Sequence, residues 1–146
     1  MKSMEPSMEA GLRGGEYRKF RELQFASVRE KYNLKMIEID ILYFLHKYAS
    51  LDTSSDIREK LSLNKGHISQ AIDALVKKQY ICVTADEKDH RYAHYSLTDT
   101  AMPAVEQIAM IRQSIDGMLF KNVSEEDLAV YKKVALQMYR NIKDVL

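Results

Sequence analysis

Apolar residues recur at spacings of three and four along most of this chain and switch to strict alternation in one short stretch. Residues 64–79 carry a clear helical stripe, in which Ile68, Ala71, Ile72, Leu75 and Val76 share one side. At about 100° per residue, Gly66, Ser69, Gln70, Asp73 and Lys77 point the other way, with Lys65 and His67 flanking the first turn. Asn64 has the side chain of an N-cap for this helix. Upstream, residues 35–48 predict a helix dominated by Met36, Ile37, Ile39, Ile41, Leu42, Phe44 and Leu45. Thr53 with Asp56 three residues on predicts the capped start of a short helix that buries Ile57 and Leu61, and Ser62 and Leu63 make the turn after it. Downstream, β-like runs over 80–84 and 93–97 enclose a charged loop. There Ala93, Tyr95 and Leu97 alternate with Tyr92, His94 and Ser96, so one set faces in and the other out.

The two ends carry more apolar surface than this small unit can cover. Residues 1–14, interrupted by Pro6, Gly11 and Gly14, read as a mobile arm. Residues 15–32 predict a helix with Tyr17, Phe20, Leu23, Phe25, Val28 and Tyr32 on more than one stripe, which calls for two burial partners. A long helix begins at 98–100, accepts Pro103 near its first turn and runs to about residue 121, where Asn122 and Val123 break it. Ser124 with Asp127 caps a last helix bearing Leu128, Tyr131, Val134, Met138, Ile142 and Val145. The expected fold is mainly α with a small β-hairpin wing. Residues 33–98 form a winged helix-turn-helix; 15–32 and 99–146 supply N- and C-terminal dimerisation helices that pack on a second copy.

Composition narrows the function. A chain of 146 residues can bury a core without disulfides, and its single cysteine excludes an internal disulfide or a cysteine-based zinc cluster. The N-terminus carries acids and lacks the apolar core of a signal peptide, and no apolar run is long enough to span a bilayer. A cytoplasmic protein is expected. The net charge of +1 weighs against nucleic acid, and residues 34–98 balance nine Lys/Arg against nine Asp/Glu. The local face decides, however, and residues 64–78 hold Lys65, Lys77 and Lys78 against Asp73 alone.

A helix followed by a hairpin with a cationic tip suits DNA: the helix fills the major groove and the tip reaches the backbone or the minor groove. Asn64, Lys65, Gly66, His67, Ser69, Gln70 and Asp73 are the candidate contacts on the helix, and Lys88, Asp89 and Arg91 those on the wing. A helix N-terminus with a lysine suits a phosphate. Gly66 removes a side chain where the backbone must come close, Gln70 can pair bidentately with an adenine edge, and Ser69 can donate to base or phosphate. Asp89 and Arg91, two apart, can pair so that the guanidinium is aimed at a narrow groove of negative potential. His90 and His94 with Asp86 and Asp89 have metal-ligand chemistry, but their rings need not converge across a wing, and no metal or cofactor is expected. Cys82 reads as a structural cysteine, and His46 as a packed or capping histidine. No catalytic arrangement stands out, so an enzyme is not expected.

Two stretches resemble the MarR family of bacterial transcriptional regulators, over about residues 16–146. One is L-S-L-N-K-G-H-I-S-Q-A-I-D-A-L-V-K-K-Q-Y-I, residues 61–81. The other is the wing, where Asp86, Asp89 and Arg91 match the family's aspartates and minor-groove arginine, followed by Leu97 and Thr98. Gln79 stands where a glycine is common, as does Ala101. The resemblance implies a homodimer on a pseudo-palindromic operator, and release of DNA on binding a small aromatic or phenolic effector. The rival expectations are a winged-helix module that binds a protein partner, favoured by the balanced charge of residues 34–98, and a small-molecule sensor without direct DNA readout.

Overall fold

The computed structural model describes residues 14–61 and 64–146. Six helices and one hairpin follow one another: α1 (Gly15–Tyr32), α2 (Met36–Lys47), α3 (Ser54–Leu61), α4 (Lys65–Lys77), β1 (Ile81–Ala85), β2 (Ala93–Leu97), a 3-10 turn (Asp99–Ala101), α5 (Met102–Leu119) and α6 (Glu125–Val145). The expected arm lies outside the described residues except for Gly14, as do the turn residues Ser62 and Leu63. The chain forms two compact units, one reaching to Arg112 and one over Gln113–Leu146.

In the first unit α2 packs on α4 and β2, α3 on α4, and α4 on β1. The core is the apolar set the spacing predicts: Ile39, Ile41, Leu42, Ile57, Ile68, Ile72 and Leu75 are all buried. The predicted caps are in place. Thr53 N–H donates to Asp56 Oδ2 at 3.2 Å, and Asp56 N–H returns a bond to Thr53 Oγ1 at 3.2 Å. Each bond satisfies a donor that a helix start leaves without an intrahelical partner.

Gln79 resolves the missing glycine. Its φ is 63°, in the left-handed region, and it ends α4 in a Schellman turn: Gln79 N–H meets Val76 O at 2.9 Å and Tyr80 N–H meets Leu75 O at 2.9 Å. The turn keeps the geometry a glycine would give, at the strain of a side chain there. Thr98 locks the same corner, its N–H bonding Tyr80 O at 3.1 Å and its hydroxyl bonding Gln79 O.

β1 and β2 pair antiparallel, with Ile81 opposite Leu97 and Thr84 opposite His94. The first strand starts one residue later than the pattern implies, because Tyr80 is held in the turn. Only Ile81 of β1 is buried. Cys82 is therefore exposed, against the expectation of a structural thiol. His46, expected to be packed or capping, is exposed in the last turn of α2.

The second unit holds the end of α5 and the whole of α6. Ser124 accepts from Asp127 N–H at 3.1 Å, as its spacing predicts. Phe120 stacks on Tyr131 with ring centroids 6.0 Å apart. No residue of α6 is buried, and Val130, Tyr131, Val134, Met138, Tyr139 and Ile142 are each 41–59% exposed.

Candidate nucleic-acid interface

The helix contribution is the first two turns of α4. Asn64 caps it, its Oδ1 accepting from His67 N–H at 2.9 Å. Lys65, Gly66, His67, Ser69, Gln70, Asp73 and Lys77 are all exposed, while Ile68, Ala71, Ile72 and Leu75 hold the other side in the core. Helical spacing thus gathers the candidate residues on one free face. Gly66 has no internal reason to be glycine. A Cβ there would meet Asn64 Oδ1 at 3.6 Å, an ordinary contact.

Lys78 leaves the face on which its charge was counted. Its Nζ bonds Glu38 Oε1 at 3.2 Å and also Asn33 O. Glu38 is only 1% exposed, the one buried charged side chain among the described residues, and its Oε1 also accepts Lys35 N–H at 2.8 Å. Lys78 is thereby spent on fixing the C-terminal end of α4 to α2. The 40-residue separation of the pair left no local signal for it in the sequence.

Two aspartates build the wing tip. Asp86 Oδ2 accepts Lys88 N–H at 3.1 Å and Asp89 N–H at 2.8 Å. Asp89 accepts Arg91 N–H at 3.1 Å and grips the guanidinium with Nε at 3.0 Å and Nη2 at 2.8 Å. The predicted Asp89–Arg91 pair is therefore present, with Arg91 itself 86% exposed at the tip. The hydrogen bonds from Arg91 hold the Asp89 carboxyl below its ordinary value, and the same pairing raises the arginine. Lys88 is exposed on this tip.

His94 does not simply face out. Its Nδ1 lies 2.7 Å from Asp52 Oδ1 and its Nε2 2.9 Å from Asp86 Oδ1. A carboxylate only accepts, so both bonds form together when both ring nitrogens carry hydrogen. The ring is then a cation between two anions. Its pKa is raised, by the hydrogen bond to Asp52 first and that to Asp86 next, and the bond to His94 is the main reason the Asp86 carboxyl is lowered. Tyr95 N–H adds a bond to Asp52 O at 2.9 Å. Asp52 was missed in the sequence because it lies 42 residues from His94. The His94 carboxylates lie on opposite edges of the ring, and no cluster of three metal-binding side chains occurs among the described residues. On the α4 side, burial raises the Tyr95 phenol, and the charge of Asp73 raises it further.

A family model described as a winged helix DNA-binding domain matches residues 34–101. The transcriptional regulator AdcR of Streptococcus pneumoniae is 29% identical over 94 residues, 64% of this chain; the match spans 56% of that relative. Among solved structures, a MarR protein from Peptoclostridium difficile superposes with a TM-score of 0.79 at 18% identity, covering 99% of this chain and 93% of that one. The chain has a winged-helix domain and shares the fold of that MarR protein. A DNA complex of MepR from S. aureus shares the fold at a TM-score of 0.59 and 20% identity, over 87% of this chain and 95% of that one. In this winged-helix domain, α4 is the second helix of the helix-turn-helix and the β1–β2 hairpin is the wing. Among the described residues, no helix is long and apolar enough to cross a membrane.

Proposed function

We propose that this protein is a transcriptional regulator that binds double-stranded DNA as a homodimer on a pseudo-palindromic operator. The observation that carries the reading is the exposed start of α4, capped and cleared of core contacts, together with Arg91 held at the wing tip by Asp89. Asn64, Lys65, Gly66, His67, Ser69, Gln70 and Asp73 enter a major groove. Arg91, with Asp89 aiming it and Lys88 on a phosphate, takes the flanking minor groove. The MepR–DNA complex lends the reading support by its likeness of fold. This role is regulatory and not enzymatic, and it places the protein in the cytoplasm with its DNA.

Two copies are expected because no residue of α6 is buried while the helix carries an apolar stripe at helical spacing. Twofold symmetry then sets half-sites about one helical turn apart, roughly 10 bp. We further read the protein as a repressor released by a small aromatic or phenolic effector. A cavity of about 300 Å³, walled by Tyr43, Phe44 and Tyr48 with Lys47 and Arg112 at its edge, has the lining for such a ligand.

Selection of bound fragments from a random duplex pool tests the reading, since it reports binding, symmetry and spacing together. With the selected site, Gln70→Ala is expected to cost about 1–3 kcal/mol and relax one base position. Arg91→Ala is expected to weaken all sites, most where the flank is A·T-rich. Unchanged affinity for both variants at fixed salt would end the docking scheme. Absence of any binding at low salt would favour a protein partner for the same surface.

A further inference from the structure

Asn64 and His67 settle each other's chemistry at the start of α4. The backbone N–H of His67 lies 2.9 Å from one amide atom of Asn64. A backbone N–H can only donate, so that atom is the oxygen, and the other end of the amide is the NH2 group. This Nδ2 is 3.0 Å from His67 Nδ1. An amide NH2 can only donate, so Nδ1 must accept. The neutral ring therefore carries its hydrogen on Nε2. Both residues are exposed, and among the described residues no acceptor meets that Nε2–H.

We propose that His67 is a specificity-determining residue that reads DNA as a fixed hydrogen-bond donor, with Asn64 setting its tautomer and guanine as its preferred target. The proposal rests on the DNA reading above and adds a base to it. Guanine presents two acceptors, N7 and O6, in the major groove and no donor. Cytosine presents an amino group, adenine sets an amino group beside its N7, and thymine sets a methyl beside O4. A ring with one outward hydrogen meets an acceptor anywhere along the guanine edge.

Asn64→Asp separates readout from capping. A carboxylate oxygen still accepts His67 N–H, so the helix keeps its cap. Its second oxygen accepts where the amide donated, so Nδ1 must now donate and the neutral ring turns a lone pair outward. One substitution inverts the exposed edge from donor to acceptor.

The test uses the full chain at about pH 9, above the ordinary imidazole range. Nitrogen NMR of the free protein reads the tautomer, and selection from a random duplex pool reads the base preference. Wild type is expected to show a protonated Nε2 and a bare Nδ1, and to favour guanine at one position of each half-site by roughly three- to tenfold. His67→Ala is expected to lose that preference. Asn64→Asp is expected to exchange the two nitrogen signals and shift the preference to a base presenting an amino group. A wild-type ring protonated on Nδ1, or an Asn64→Asp variant that still selects guanine, overturns the proposal. Failure of wild type to select any duplex at low salt overturns the DNA reading and the readout role with it, even where the spectrum shows the expected tautomer.

Discussion

Replacing Gly66 by alanine is expected to stabilise the protein and weaken its hold on DNA, two effects of opposite sign from one methyl group. Gly66 is the second residue of α4, its φ is not in the positive range, and a Cβ there meets only Asn64 Oδ1 at 3.6 Å. Nothing inside the chain resists the methyl. Glycine in a helix is about 0.5–1 kcal/mol less favourable than alanine, chiefly through the backbone freedom it loses on folding. A first-turn position takes the lower end, so a gain of about 0.5 kcal/mol is expected. That is about 1–2 °C in Tm for a chain of this size. On the outer face the same methyl occupies the space a phosphate or base edge needs. Several short contacts would lengthen together, and a loss of about tenfold in affinity, near 1.4 kcal/mol, is expected. Thermal unfolding and a titration of labelled operator at fixed salt measure the two effects separately. Higher Tm with undiminished affinity would refute the close approach of DNA at Gly66. Lower Tm would refute the account of the helix.

Three further outcomes are expected. Gln79→Gly is expected to raise stability by up to about 1 kcal/mol in urea unfolding, since the left-handed φ of 63° strains a side chain and suits glycine; a destabilised variant would show that the Gln79 side chain contributes more than its backbone strain costs. Lys78→Met is expected to cost about 2–3 kcal/mol by leaving the Glu38 carboxylate buried beside one N–H, and adding Glu38→Gln is expected to recover much of it; simple additivity of the two losses would mean the pair is not coupled. The third concerns pH. Because the folded pKa of His94 lies above its ordinary 6.5, its contribution is complete below 6.5 and is lost as pH rises through the folded value. Wild type is therefore expected to lose more Tm than His94→Gln between pH 6.5 and the alkaline side, and parallel Tm curves for the two proteins would contradict the doubly paired ring.

Local information in the sequence determined the order and limits of the helices, their caps at Thr53, Asn64 and Ser124, and the set of side chains left on the free face of α4. These follow from helical and strand periodicity and from bonds between residues three apart, which neighbouring positions in a chain suffice to specify. The Asp89–Arg91 pair was legible for the same reason, being two residues long. Only the folded chain decided where charges separated by 40 residues or more would meet. Folding turned Lys78 from a phosphate-facing charge into the partner of Glu38, and brought Asp52 to His94 to tie the wing to the loop before α3. The first of these pairs forms because the buried Glu38 carboxylate must find a counter-charge once packing has removed its water. Which one it finds is fixed by how the helices pack, and that is not written in any short stretch of the chain.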